Sequence, residues 1–305
     1  MSATEDEDQR SVHKPVLLHE VITFLDPKPG DFIIDGTVDG GGHAAAIAEH
    51  IGAQGTLLGL DWDERLLERC RARFTGQKNV TLLHGNYADL PEIMREHDLE
   101  KADGLLIDLG FSSEQLEASG RGFSFGEASK NEPLLMTYDD SRKPVWQIIR
   151  AEEEKSLANI IYEFGGERMS RQIAKAIKDH GRKQPIMTAG GLAEVVRGVL
   201  PGKYEHGRID PATRTFQAFR IYANSELENL KTLLNNLVGI VKPGGRVAII
   251  SFHSVEDGIV KRTFQSLGKE SKIEIITKKP VEATREEIKE NPRSRSAKIR
   301  AARIL

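Results

Sequence analysis

The sequence predicts an α/β fold: a largely parallel sheet interrupted by a small inserted helical domain. Three observations carry that reading. Five short apolar runs, bounded by Gly, Asp or Pro, recur with helical patterns between them. The first run leads into "IIDGTVDGGGHAAAIAEH" (33–50), which reads as a strand, a glycine loop and a helix in that order. From about residue 120 to about 205 the strand pattern stops while helical patterns continue. Strands alternating with helices indicate a parallel sheet built by crossovers. Such strands are covered on both faces, which is why their apolar runs are continuous.

The elements follow in order. The opening "MSATEDEDQR" is acidic and lacks core residues, so residues 1–10 are expected to form a disordered tail. The first part of the sheet domain is placed at 11–118. Its strands are "DFIIDG" (31–36), "GTLLGLD" (55–61), "VTLLHG" (80–85) and "DGLLIDLG" (103–110), with helices at 43–51, 64–74 and 88–97. The inserted domain is placed at 119–208. There "EEEKSLANIIYEF" stops at Gly165-Gly166 and "ERMSRQIAKAIKDH" at Gly181, while a third helix from near Thr188 stops before Pro201. The sheet domain resumes over 209–305. Asp210-Pro211 reads as an N-cap and first helical residue, opening one long helix through "ATRTFQAFRIYANSELENLKTLLNNLVGI". At ~100° per residue, Phe216, Phe219, Leu227, Leu230, Leu234 and Leu237 share one side. Arg214, Gln217 and Asn224 fall opposite, on a face that is either functional or a plain solvent face, the latter supported by Glu228, Lys231 and Asn235 continuing it. "VKPGG" then turns the chain into a fifth strand, "GRVAIISF" (245–252).

Composition narrows the function. The chain has 305 residues, 39% of them apolar, enough for a substantial core. Its one cysteine, Cys70, excludes an intrachain disulfide framework and a cysteine-only metal site, and fits a reducing, cytoplasmic compartment. No stretch approaches the ~18 apolar residues of a membrane helix, and the start lacks a signal-peptide pattern. The formal net charge of −3 gives no global pull toward nucleic acid. Charge is uneven, however. The last fifteen residues, "NPRSRSAKIRAARIL", carry Arg293, Arg295, Lys298, Arg300 and Arg303 and no acid. A second basic group comprises Arg197, Lys203, Arg208, Arg214 and Arg220. A charge run is commonly only a solvated face, yet local basic patches are compatible with RNA binding.

Ligands of open parallel sheets bind outside the carboxyl ends of the strands, near the switch point. Asp35 and the glycine loop follow the first strand, Asp61 ends the second and Asp108 ends the fourth, so one crevice should hold all three acids. An acid at the end of the second strand suits the ribose diol of NAD or of S-adenosylmethionine alike. The loop discriminates. A dinucleotide fold uses G-x-G-x-x-G to seat a pyrophosphate on the helix N-terminus. Here Gly36 is followed by Gly40-Gly41-Gly42 with Asp39 inside the loop. A carboxylate there repels a pyrophosphate, and repels far less a ligand bearing a sulfonium, an ammonium and one carboxylate. S-adenosylmethionine is favoured over a dehydrogenase cofactor. "VKPGGRVAIISF" after a long helix is typical of Rossmann-like methyltransferases, by fold analogy.

Eight segments in order then match one family. They are "HKPVLLHE" (13–20), "DGTVDGGGH" (35–43), "LDWD" (60–63), "DGLLIDLGFSSEQLE" (103–117), "RGFSF" (121–125), "PATRTFQAFRIYANSEL" (211–227), "GGRVAIISFHSVED" (244–257) and "NPRSRSAKIR" (291–300). Over nearly its whole length the chain resembles the bacterial small-subunit ribosomal RNA cytosine-N4 methyltransferases, the MraW/RsmH family. The resemblance implies a Rossmann-like class I methyltransferase. It implies methyl transfer from S-adenosyl-L-methionine to the exocyclic N4 of a cytidine in the decoding region of 16S rRNA, with the small ribosomal subunit as partner. Carried over by position, the family's cofactor contacts are Gly41, Gly42, His43, Asp61, Tyr87, Asp108 and Gln115, to which the sheet argument adds Asp35. Tyr87 and Gln115 rest on the resemblance alone.

The chemistry adds its own demand. The amine lone pair of cytosine is delocalised into the ring, so an acceptor must hold its N–H groups while the lone pair aims at the methyl. Many amino-methyltransferases use an Asp/Asn-Pro-Pro-aromatic turn after the fourth strand. "DLGFSS" stands here instead, making Asp108 the candidate acceptor, with Ser112 and Ser113 in support. His253 in "SFHS" would face the same crevice and contact the base, unless it makes a structural hydrogen bond. Arg214, Arg220, Arg293, Arg295 and Arg300 are candidate RNA contacts. No metal cluster is visible in the sequence and the reaction needs none. Four places depart from the family: Asp39 for Gly, Leu135 and Thr137 for an acid and a base, Gly166 for Glu, and Gly258 for Arg. Competing readings are a methyltransferase for another RNA or a small amine, and a non-catalytic ribosome-assembly factor that keeps the fold.

Overall fold

A computed structural model describes residues 15–109, 119–200, 204 and 209–305. The expected acidic tail, 1–10, lies outside them. The described residues fall into two units, one within Met1–Gly110 and Asn229–Leu305, the other within Phe111–Glu228.

The first unit begins with α1 (Leu18–Leu25), followed by the alternation expected from the apolar runs: β1 (Phe32–Asp35), α2 (Gly42–Ile51), β2 (Thr56–Asp61), α3 (Glu64–Arg73), β3 (Val80–His84), α4 (Leu90–Glu96) and β4 (Ala102–Asp108). β1 lies between β2 and β4, all parallel, with Ile33 opposite Leu57 on one side and Gly104 on the other. β3 extends this half beside β2. The continuous apolar runs are buried: Ile33, Ile34, Leu57, Leu58, Leu105 and Leu106 are each at most 2% exposed.

The chain returns to this unit within α10 (Glu226–Ile240) and enters β5 (Val241–Ser251), parallel to β4. β5 starts before the expected turn. Val241 pairs with Ala102 and Arg246 with Gly104, so "KPGG" is an irregularity inside the strand rather than a turn ahead of it. After α11 (Ser254–Lys269) come β6 (Ile273–Ile275), β7 (Val281–Glu282), α12 (Arg285–Glu290) and β8 (Lys298–Ile304). The order is β3-β2-β1-β4-β5-β8-β6, with β7 also on β8. The basic C-terminal segment therefore ends in an interior strand, antiparallel to β5 and β6. Ile299, Ala301, Ala302 and Ile304 are at most 1% exposed.

The second unit is helical, as expected: α5 (Val145–Ala151), α6 (Glu154–Gly165), α7 (Ser170–Lys183), α8 (Ala189–Arg197) and α9 (Thr213–Asn224). Leu157, Ile161, Ile173, Ile177, Leu192 and Phe219 share its core. α6 and α9 approach so closely that a Cβ on Gly165 would lie 2.3 Å from the Arg214 carbonyl oxygen. The expected join at 208/209 falls inside this unit, because Phe216 and Phe219 of α9 belong to its core.

Three expectations for 210–240 are corrected. α9 starts at Thr213, not Pro211; Asp210 accepts the Ala212 N–H at 2.8 Å and so shapes the turn before the helix. The single long helix is two, broken at Ser225, whose backbone is left-handed (φ 54°). Asn224 is not on a solvent face. It is fully buried, donating to the Met136 carbonyl at 2.9 Å and accepting the Tyr138 N–H at 3.0 Å. Among the described residues no helix is long and apolar enough to cross a membrane.

Candidate active site

The carboxyl ends of β1, β2 and β4 form the floor of the candidate site. After Asp35 the chain leaves the sheet through Gly36, whose N–H donates to the Leu106 carbonyl on β4 at 2.9 Å. It then crosses to β2, where the Val38 N–H donates to the Leu60 carbonyl at 2.7 Å. Gly41 precedes α2 with φ 76°, a left-handed conformation that glycine adopts without strain. A Cβ there would also meet Cys70 Sγ at 3.0 Å. Asp39 is left-handed too, at φ 46°. Asp is among the few non-glycine residues that tolerate this region.

Asp61 is held from both sides. Its Oδ2 accepts the Asp39 N–H and its Oδ1 the Asp63 N–H, each at 2.8 Å. Every oxygen keeps a further lone pair, so the carboxylate can still take two hydroxyl donors, as a ribose diol requires. Burial pushes its pKa up to about 7 against those two N–H bonds, aided by the charges of Asp39 and Asp63. Asp35 is 1% exposed. Its Oδ1 accepts the Thr37 N–H at 3.2 Å, while Oδ2 has no partner among the described residues. Burial raises it to about 8, opposed by Thr37 and reinforced by Asp108, Asp61 and Asp39. The crevice thus concentrates carboxyl groups in low dielectric, and burial together with mutual repulsion favours their neutral forms.

Asp108 closes the arrangement at the end of β4. Its N–H donates to Thr37 Oγ1 at 2.7 Å. His43, 7% exposed in the first turn of α2, donates from Nε2 to the Val16 carbonyl oxygen at 2.8 Å, leaving Nδ1 3.8 Å from Asp108 Oδ2. His43 is thereby a close neighbour of Asp108. Tyr87, at the start of a short 3-10 turn, packs over the end of β1: its Cβ lies 3.1 Å from where a Gly36 Cβ would stand. Asp35, Gly41, Gly42, His43, Asp61, Tyr87 and Asp108 are therefore brought together, while Ser112, Ser113 and Gln115 lie outside the described residues. Thr37 escaped the sequence reading. Its position two residues after Asp35 was the available signal, but its link to Asp108 exists only once β1 and β4 are paired.

His253 takes its structural alternative. It caps α11, with Nδ1 accepting the Glu256 N–H at 3.4 Å, while Glu256 Oε2 accepts the Phe252 and His253 N–H groups at 2.9 and 3.3 Å. Nε2 is 2.9 Å from Glu256 Oε1 without hydrogen-bond alignment. A ring so engaged is a cap rather than a base contact. Arg300 likewise departs from the expected RNA set: it is 6% exposed and donates from Nε and Nη2 to the two Asp257 oxygens at 2.6 and 3.1 Å. Arg220 is committed to Glu226 by two bonds of 2.9 Å. Arg295 is exposed, and Arg214 and Arg293 are half-buried.

A family model described as the MraW methylase family matches residues 10–305. A ribosomal RNA small subunit methyltransferase H of Syntrophus aciditrophicus (strain SB) is 41% identical over 313 residues, covering 97% of this chain and 98% of its own. A protein of the same description from Deinococcus deserti is 45% identical over 291 residues, covering 95% and 93%. Among solved structures, a putative rRNA-methylase from Clostridium thermocellum aligns at a TM-score of 0.46 and 10% identity, over 97% of this chain and 100% of its own.

Proposed function

The chain belongs to the MraW methylase family, and from that premise we propose that it methylates the exocyclic N4 of a cytidine in the decoding region of 16S rRNA, on the small ribosomal subunit. S-adenosyl-L-methionine is its cofactor, supplying an electrophilic methyl on a sulfonium sulfur. The observation that carries the reading is the crevice in which the Gly41 turn, the doubly held Asp61 and the half-buried Asp108 meet.

The residues divide the work. The Gly41 turn allows close approach of a ligand to the backbone, and Asp61 offers two preset acceptors to hydroxyl groups. Asp35, largely neutral below its raised pKa, spares a cationic methyl donor's carboxylate from a further buried negative charge. Asp108, its backbone tied to Thr37 and its carboxylate beside His43, accepts an N–H of the cytosine amine and so turns its lone pair toward the methyl. The same oxygen takes the proton the amine sheds as the N–C bond forms and the methyl–sulfur bond breaks. The target base must be unstacked to enter, as in other recognition of single RNA bases.

Asp108→Asn separates these roles. The amide keeps an oxygen but cannot accept a proton, so methyl transfer to small ribosomal subunits should fall about 10²–10⁴-fold, while affinity for S-adenosylhomocysteine stays within about tenfold. Loss of cofactor affinity in proportion to activity would make Asp108 a cofactor ligand only, and would move the amine acceptor to Ser112 or Ser113.

A further inference from the structure

The turn between α6 and α7 in the helical unit forms an open cleft of about 360 Å3, lined by Asn159, Tyr162, Arg168, Met169, Arg171 and Gln172 among others. That volume falls in the ~300–1,000 Å3 range of small-ligand sites. Tyr162 is 59% exposed, although it directly follows buried Ile160 and Ile161 on an otherwise amphipathic helix. Arg168, Arg171 and Lys175 are exposed and have no ion pair among the described residues. The segment 168–183 carries Arg168, Arg171, Lys175, Lys178, Arg182 and Lys183 against the single acid Asp179, in a chain whose net charge is −3. Lys178 and Arg182 are spoken for, the first by the Ile149, Arg150 and Glu152 carbonyls and the second by Asp179. The other four, Arg168, Arg171, Lys175 and Lys183, are exposed, the first three nearest the cleft in sequence.

The cleft is held open by its backbone. Gly166 ends α6 in a left-handed conformation (φ 65°), its N–H returning to the Tyr162 carbonyl at 2.9 Å. Glu167 is 1% exposed, accepting the Met169 N–H at 2.7 Å and the Tyr204 hydroxyl. The turn that presents Arg168 and Arg171 is therefore set before any ligand arrives. An exposed ring flanked by two side-chain amides and unpaired guanidinium groups suits one chemistry. The ring stacks on a base face, the amides reach base edges and the cations neutralise flanking phosphates. Base faces are accessible only in unpaired strands.

We propose that this cleft binds an unpaired segment of the RNA substrate, with one base stacked on Tyr162 and the adjoining phosphates on Arg168, Arg171 and Lys175. The proposal rests on the reading above, that the substrate is ribosomal RNA. It is tested on the full chain with a fluorescently labelled unpaired RNA, the corresponding duplex, a 16S rRNA transcript and intact small subunits. Tyr162→Ala should weaken the unpaired RNA about 5- to 100-fold, the loss of one base–aromatic stack, and Tyr162→Phe should keep wild-type affinity. Arg168→Ala with Arg171→Ala should flatten the salt dependence by about 1.4 log units per log unit, roughly 0.7 for each phosphate on a single strand. Both changes should raise KM for the transcript with kcat retained, and leave S-adenosylhomocysteine affinity unchanged.

Unchanged RNA affinity and salt slope in variants of a chain that still methylates would overturn the cleft and leave the methyltransferase reading standing. Equal losses on duplex would also overturn it, since stacking on Tyr162 needs an unpaired base. Unchanged transcript affinity with impaired methylation of intact subunits would assign the cleft to a ribosomal protein instead. A wild-type chain that transfers no methyl, yet loses RNA on Tyr162→Ala, would support the cleft while removing the enzyme.

Discussion

Asp35 holds a proton because the fold buries it beside other acids, with a pKa of about 8. Its ordinary value is near 3.8. Between about pH 4 and pH 8 the folded chain keeps the proton and the unfolded chain releases it, so this group's contribution to stability is complete at low pH and lost as pH rises through about 8. Asp35→Asn cannot ionise. Thermal midpoints measured without cofactor should show wild type falling relative to Asp35→Asn across that window and running parallel above it; parallel curves throughout would mean that Asp35 titrates normally. The acids were legible in the sequence because each ends an apolar run, and a parallel sheet delivers such residues to one edge. The pairing of Thr37 with Asp108, and of His43 with Val16 and Asp108, was not legible, since it depends on register and on α1. His253 misled for the opposite reason: residue type suggested chemistry, while "HSVE" also spells a capping box.

At the scale of elements, the clearest difference lies at the C-terminus. "KIRAARIL" read as basic because its arginines dominate, yet its Ile and Ala positions are what the sheet buries. Arg300 is tolerated in an interior strand through its two bonds to Asp257. Removing one partner of a buried pair strands the other, at about 3–5 kcal/mol. Arg300→Ala should therefore lower the unfolding midpoint in denaturant and leave the salt slope of RNA binding alone. Arg295→Ala, at an exposed position, should do the reverse, and identical behaviour of the two would contradict this division. Gly165→Ala tests the helical unit in the same way. Its new methyl meets backbone at Arg214, so a cost of about 1–3 kcal/mol is expected from overpacking. The break at Ser225 had no Gly or Pro to announce it, which is why two helices read as one.

For the molecule as a whole, the alternation of strands and helices located the sheet and the insertion, and the glycine loop pointed to the cofactor class. The second join was displaced because α9 shares its apolar face with the insertion's core, a tertiary choice that helical periodicity alone leaves open. The cofactor reading has a direct consequence for stability. At a hundredfold excess over its dissociation constant, a ligand bound only by the folded chain adds about 2.7 kcal/mol. S-adenosylmethionine and S-adenosylhomocysteine should raise the thermal midpoint, and NAD should not; a flat response to all three would remove the crevice as a cofactor site.

Isotope transfer decides whether this chain methylates a cytidine amine of small-subunit ribosomal RNA. Small subunits are incubated with the chain and methyl-labelled S-adenosylmethionine, and the RNA is then digested to nucleosides and resolved by mass. Label is expected in N4-methylcytidine, at one position, and should nearly disappear with Asp108→Asn. Label in another nucleoside, or none in RNA from a chain that binds S-adenosylhomocysteine, would contradict the proposed methylation.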